Sequence, residues 1–351
     1  MPNIVITGGA GFIGKNLAKY LQKIGYTVTI VDDFSGSYGK GVNVYDFKEE
    51  LRKSFNVIEL KLGQHQHDFY HDVAYHSSFT HFIKNCDAVI HLAATVGVSN
   101  VLNNPIETIQ NNIDATHTIL SDCEAYKKPC FIASTSEIYG KSGDNKNALK
   151  ETDDVVYGKT SESRWAYATS KYIDEIIALQ YAKKNPVYIL RFFNVSGIGQ
   201  DSQYGMVIPK FITQALLDEP ITIYNNGSQT RSFTHISDVC FIIAQLLIHH
   251  FKNTLSDKIL NIGSAQPISI LDLANKIMEK TNSKSKIQPF AEYHTFNNKI
   301  KEFADMQHRT PDITLLKKYI GEHPFKSVDD IIDDIIELDG NKILQQGIKF
   351  T

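Results

Sequence analysis

Asn3-Ile4-Val5-Ile6-Thr7-Gly8-Gly9-Ala10-Gly11-Phe12-Ile13-Gly14 stands almost at the start of the chain, and its reading decides the fold. Ile4, Val5 and Ile6 are consecutive and β-branched, which marks a short buried strand. Glycines follow at once. Beyond them apolar residues recur at Ile13, Leu17, Leu21 and Ile24, the spacing of one helical face, and Gly25 is placed to end that helix. Residues 27–31 repeat the strand pattern and close on Asp32-Asp33. Strand, glycine-rich turn, helix, strand and acid in this order describe a βαβ unit that holds a dinucleotide. Gly8 permits a tight turn, Gly11 lets the backbone approach a pyrophosphate, and Gly14 lets the helix lie close to the sheet. The helix N-terminus, at Phe12 and Ile13, offers N–H groups to the phosphates. Asp32 stands where a carboxylate accepts hydrogen bonds from the adenosine ribose. It repels a 2′-phosphate and no arginine follows, so NAD is expected rather than NADP.

The alternation continues outward from that unit. Residues 56–62 read as a third strand and 79–84 as a helix. Residues 87–94 read as a strand whose last positions, Leu92, Ala93 and Ala94, leave room for a cofactor. Between them, Asp72 and Val73 either meet the adenine or belong to an ordinary surface loop. Long helices are expected over 105–126 and 167–182, and strands over 130–135 and 187–193. The fold class is therefore α/β, a Rossmann-type doubly wound parallel sheet with a smaller C-terminal substrate-binding lobe. Residues 1–194, with 233–264 returning to them, should form the NAD-binding unit. Residues 195–232 and 265–351 should form the lobe. Within the second half, Ser237 or Asp238 is placed to cap a helix over 239–251, and Ser269 to cap another. The polar stretch 141–163 is long enough to act as a lid.

Composition narrows the function. The chain has 351 residues and a formal net charge of -3, with both signs interspersed, so neither a nucleic-acid footprint nor a membrane patch is expected. The first residues enter a strand rather than a signal peptide, and no apolar run is long enough to span a bilayer. Cys86, Cys123, Cys130 and Cys240 share no Cys-x-x-Cys spacing, which suits reduced thiols in the cytoplasm. His65, His67, His71 and His76 match no standard ligand set, so no metal is expected.

Tyr167-Ala168-Thr169-Ser170-Lys171 carries the chemistry. A phenol and an ammonium four residues apart on a helix face the same way. The ammonium favours the phenolate, and a phenolate takes a proton from a sugar or alcohol hydroxyl. Read with the βαβ unit, His91-Leu92-Ala93-Ala94, Asn112, Ser134-Thr135-Ser136-Glu137-Ile138-Tyr139-Gly140, Arg191-Phe192-Phe193-Asn194, Arg231-Ser232-Phe233-Thr234-His235 and Arg309-Thr310-Pro311-Asp312-Ile313, the chain resembles the extended short-chain dehydrogenase/reductase family. The likeness is to the branch that acts on nucleotide-diphosphate sugars.

The resemblance implies catalytic Thr135, Glu137, Tyr167 and Lys171. Tyr167 would deprotonate a sugar hydroxyl, Lys171 would bind the nicotinamide ribose and keep Tyr167 acidic, and Thr135 would share the same hydroxyl. It adds Asn112 and Ser134 to the residues around NAD, and gives Asn194, Arg231 and Arg309 to the nucleotide-sugar pyrophosphate. A ketone at C4 then has three outcomes. Thr135-Ser136-Glu137 resembles the pattern of both UDP-glucuronate decarboxylases and GDP-mannose 4,6-dehydratases, while Arg164-Trp165-x-Tyr167 and Gln229-Thr230-Arg231-x-Phe233 resemble the decarboxylases more, so decarboxylation ranks first. A uronate 4-epimerase ranks second and a 4,6-dehydratase third. A non-catalytic NAD-binding scaffold is the alternative of another class, which Tyr167 and Lys171 argue against. The family's dimers imply a homodimer through helices 105–126 and 167–182.

Overall fold

The β-branched run predicted at the start of the chain is β1 (Asn3–Thr7), and its pleat divides the interior of a computed structural model that describes residues 1–36, 43–62, 73–142, 147–200, 206–289, 293–294, 299–300 and 306–346. Ile4 and Ile6 point to one side of the sheet and Val5 to the other, as the two-residue period of a strand requires. α1 (Phe12–Lys23) follows, then β2 (Thr27–Asp32), α2 (Val44–Ser54), β3 (Asn56–Glu59), α3 (Val73–Asn85) and β4 (Ala88–His91). α4 (Val98–Asn103), α5 (Pro105–Ala125), β5 (Cys130–Thr135), α6 (Trp165–Tyr181) and β6 (Val187–Phe192) complete the first half.

The seven-stranded sheet runs in the order Ile259–Ile262, β6, β5, β4, β1, β2, β3, and every pairing is parallel. The chain winds outward from β1 to β3 and then crosses back to place β4 on the other side of β1. That reversal opens a crevice beyond the C-terminal ends of β1 and β4, where a doubly wound sheet binds its ligand. One face buries Ile6, Ile30 and Ile90 against Leu17 and Leu21 of α1 and against Val239 and Ile243 of the helix Ile236–Phe251. The other buries Val5, Val31 and Val89 under Phe79 and Ile83 of α3, Ile119 and Leu120 of α5, and Ala178 of α6. A third core gathers Phe211 and Ile212 from Val207–Leu216, Leu273 and Ile277 from Ile270–Thr281, and Ile331, Ile332 and Ile335 from Val328–Gln346. The helix Thr314–Ile320 instead packs on the first core through Leu316 and Tyr319.

Local expectations change at three places. β3 stops at Glu59 because its last partner, Asp32, ends β2; Leu60 and Leu62 stay buried outside the strand. The cap of Ile236–Phe251 is His235, whose Nδ1 accepts from the Ser237 N–H, so Ser237 and Asp238 lie inside the first turn. The described part of 141–163 is fastened rather than free to act as a lid. Leu149 is buried and bonded to Thr310 and Asp312 through its backbone, Val156 bridges to Gly140, and Glu151 accepts from the Asn261 N–H. Among the described residues no helix is long and apolar enough to cross a membrane.

Candidate active site

A cavity of about 1060 Å³ occupies the crevice and extends past β5 toward the third core. Its first end is the glycine-rich turn. Gly8 has φ +66°, and a Cβ there would stand 2.6 Å from the Ala93 nitrogen, so only glycine lets the turn meet the end of β4. A Cβ on Gly14 would lie 2.6 Å from Gly9 Cα, so α1 can lie against the turn only without one. Gly11 caps α1 with no side-chain hydrogen bond, and beyond Gly8 O at 3.2 Å nothing crowds its missing Cβ. This open cradle, with the first-turn N–H groups of Phe12 and Ile13 behind it, fits a pyrophosphate. Asp32 lines the same end. Its two carboxylate oxygens accept from the Ala10 N–H at 3.0 Å and the Phe34 N–H at 2.9 Å, which aims the acid across the turn. Leu92, Ala93 and Ala94 form the opposite wall.

Asp72 lies outside the described residues, and Val73 opens α3. Asn112 is buried behind the wall rather than lining it. Its Oδ1 accepts from the Thr95 N–H at 2.7 Å and its Nδ2 donates to Ser170 Oγ at 3.1 Å, so it ties the segment after β4 to α6. A fully buried amide must satisfy its own hydrogen bonds, and these contacts do so.

The middle of the cavity brings Ser134, Thr135, Glu137, Tyr167 and Lys171 together. β5 ends at Thr135, whose hydroxyl accepts from the Glu137 N–H at 3.2 Å and so starts the single 3₁₀ turn Ser136–Tyr139. α6 brings Tyr167 to the same hydroxyl. Burial holds the Tyr167 phenol above its ordinary range, and the Glu137 charge adds to this; the hydrogen bond with Thr135 and the Arg309 charge pull the other way. Thr135 and Arg309 thus join the groups that favour the phenolate, beside the Lys171 expected from the sequence. The Lys171 ammonium is buried against Asp174, Nζ to Oδ2 2.9 Å, and the paired charges offset each other.

Glu137 is held by arginines. Arg309 Nη1 donates to its Oε1 at 3.1 Å, and Arg164 Nη2 lies 3.9 Å from its Oε2. Arg309 Nη2 also donates to Asn194 Oδ1 at 2.9 Å, while Asn194 Nδ2 donates to the Ser232 carbonyl. Arg309 and Arg231 are register partners on adjacent parallel strands, His308–Arg309 and Thr230–Ser232, so both side chains reach the same wall. Arg309 Nε is buried and donates to no atom among the described residues.

Sequence reasoning missed the support behind these groups. Glu175 accepts from Arg191 at 2.9 and 2.7 Å and from Ser134 Oγ at 2.5 Å; Arg191 Nη1 donates to Tyr139 OH, which donates to Asn261 Oδ1. The signal was present, since a glutamate one helical turn after Lys171 faces the sheet with it, but its partner is distant in sequence. Arg164 was noticed only as part of a pattern, and Asp174 not at all. Among the described residues no three His, Cys, Asp or Glu side chains gather as a metal site.

Comparison with known proteins agrees with this geometry. Residues 4–263 match the family described as NAD dependent epimerase/dehydratase. A UDP-N-acetyl-alpha-D-glucosaminuronate decarboxylase of Bacillus cytotoxicus is 37% identical over 324 residues, covering 91% of this chain and 92% of its own. UDP-glucuronic acid decarboxylase 1 of Danio rerio is 28% identical, covering 98% of this chain and 74% of its own. The solved UDP-glucuronic acid 4-epimerase of Bacillus cereus, in complex with UDP-glucuronic acid and NAD, superposes with a TM-score of 0.78 at 25% identity over 98% of this chain and 99% of its own. The chain is thus an NAD-dependent enzyme and belongs to the NAD-dependent epimerase/dehydratase family.

Proposed function

We propose that the protein decarboxylates a UDP-linked hexuronate through a 4-keto intermediate, with UDP-glucuronate or its 2-acetamido counterpart as substrate. The observation that carries this reading is the convergence of Arg309 and Arg164 on Glu137 beside Tyr167, with the Arg309 guanidinium lining the cavity and its buried Nε without a hydrogen-bond partner among the described residues. A buried guanidinium with an unused donor gains a hydrogen bond when an anionic oxygen enters. The names of the two decarboxylase relatives support the choice of a uronate.

In this reading Gly8, Gly11, Phe12, Ile13 and Gly14 hold the NAD pyrophosphate, and Asp32 holds the adenosine ribose. When bound, NAD⁺ would supply the acceptor for the hydride that leaves C4 of the sugar. Tyr167 takes the proton of the C4 hydroxyl while Thr135 shares that hydroxyl and fixes its direction. Lys171 orders the ribose and Tyr167. The C4 ketone makes the C5 carboxylate a β-keto acid. The C5–carboxyl bond breaks, its electron pair passes toward the C4 oxygen, carbon dioxide leaves, and a proton from solvent then returns to C5 and restores the C4 ketone. Arg309, itself anchored by Glu137, holds the carboxylate in line before that bond breaks, and Asn194 and Arg231 face the UDP pyrophosphate. The 4-epimerase is the second reading, favoured by the likeness to the Bacillus cereus enzyme.

Mass analysis of products from NAD⁺ and a panel of UDP-, GDP-, dTDP- and CDP-sugars, both uronates included, tests the proposal. Loss of carbon dioxide from a UDP-uronate is expected. Unchanged mass with a new retention time would replace decarboxylase by epimerase, loss of water by dehydratase, and silence across the panel would end the proposal.

The division into an NAD-binding unit of 1–194 with 233–264 and a lobe of 195–232 with 265–351 belongs to the same proposal, with the helix Thr314–Ile320 returning to the first unit, as does cytoplasmic residence, which four buried free thiols suit. So does a homodimer. α5 and α6 lie side by side, and Ile106, Tyr172 and Ile176 on them are exposed apolar residues. A dimeric mass is expected by light scattering; a monomer at micromolar concentration would rule it out.

A further inference from the structure

Tyr167, Lys171 and Asp174 fall at spacings of four and three along α6, so they share one stripe of the helix. The Lys171 Nζ–Asp174 Oδ2 contact is 2.9 Å, and the two side chains are 2% and 1% exposed. Lys171 lines the cavity, and Asp174 lies behind it. A carboxylate buried this completely is costly unless it is paired, so its place beside the ammonium calls for an account. We propose that Asp174 is a positioning residue for the reaction: its carboxylate anchors the Lys171 ammonium and offsets the positive charge that Lys171 presents to Tyr167. The proposal rests on the reading of Tyr167 as the base.

The surroundings leave this pair as an adjustable part of the charge at Tyr167. Thr116, on α5, faces the Asp174 carboxylate. Glu175, on α6, is already bound by Arg191 of β6. His91, on β4, is kept neutral, its pKa pressed down to about 3 by burial and by the Lys171 charge. Across the cavity, Glu137 and Arg309 act on Tyr167 with opposite signs and are paired with each other. Asp174 itself raises the Tyr167 pKa. A phenol beside a lone ammonium would deprotonate more readily than one beside an ammonium–carboxylate pair. Asp174 therefore adds to the burial and the Glu137 charge that favour the neutral phenol, and it keeps the Lys171 side chain in one place.

Asp174→Asn tests this, because an amide still accepts from Lys171 but carries no charge. The acid limb of the kcat–pH profile should move to lower pH, by up to about one unit, because removing a negative charge that acts on Tyr167 favours the phenolate. Asp174→Glu, which keeps the charge, should leave the limb in place even where kcat falls. A second readout needs no turnover: the ultraviolet phenolate difference absorbance of the NAD⁺ complex, corrected with Tyr167→Phe, should titrate lower in Asp174→Asn. Should the asparagine variant not fold, Asp174→Ser carries the same two measurements. Activity reduced at every pH with both titrations unmoved would show a structural role only and overturn the proposal. Failure of the wild type to turn over any sugar would count against the proposed function, while the phenolate titration would still decide the role of Asp174.

Discussion

Arg309→Met is the perturbation that bears most directly on the chemistry. Methionine keeps the length of the stem and removes the guanidinium. The loss includes the 3.1 Å bond to Glu137 and the 2.9 Å bond to Asn194. A hydrogen bond to a charged group contributes about 1.5–3 kcal/mol. The Glu137 side chain is 25% exposed and keeps Arg164 at 3.9 Å, so water and a second cation offset part of the loss. About 2–3 kcal/mol in all is the reasonable figure, which is about 30- to 150-fold in kcat/KM for carbon dioxide release. A pH effect accompanies it. The Arg309 charge lowers the Tyr167 pKa, so its removal raises that pKa. A base must be deprotonated to act, so the acid limb of the rate profile should move to higher pH, opposite to the shift expected for Asp174→Asn. The assay is carbon dioxide release across pH, with circular dichroism to verify the fold. A kcat/KM within about threefold of wild type, with the acid limb unmoved, would refute the placing of Arg309 in the reaction; the threshold is well below the smallest loss expected from one charged hydrogen bond.

Gly14→Ala should abolish NAD binding in a titration of intrinsic fluorescence and lower stability by more than about 2 kcal/mol, because the new Cβ meets backbone of the glycine turn that cannot yield. His91 gives an acid-linked loss of stability. Its folded pKa is lowered to about 3, so the folded state keeps it neutral while the unfolded chain binds a proton below its ordinary value. Stability is therefore full above about pH 6.5 and falls as pH drops toward 3, by at most about 1.4 kcal/mol per unit; His91→Gln should flatten that slope in urea melts. Burial holds the Cys86 and Cys240 thiols up to about 12 and encloses all four cysteines, so a thiol reagent should label the native protein far more slowly than the unfolded one, which should take up four equivalents.

The parts legible in the sequence are those whose physics is local. β1, the glycine turn and α1 announce themselves because period, backbone freedom and close approach are all encoded within twelve consecutive residues, and the turn lies where that code puts it. Tyr167 and Lys171 were legible for the same reason, since four residues on a helix fix their relation. What the sequence hid depends on contacts between distant segments. Glu137 meets Arg309 across 172 positions, and nothing near either residue declares the other. Asn112 shows the reverse error: a motif position suggested a cofactor ligand, but complete burial gives its amide to Thr95 and Ser170 instead. Asp174 combines both difficulties. Its spacing to Lys171 is local, yet three-residue Lys–Asp pairs are ordinary on a solvated helix face and contribute little there. Only the closure of α5 and the sheet over α6 removes water from this one. Burial strengthens the interaction of the two charges, and in the proposed reading the pair then acts on Tyr167.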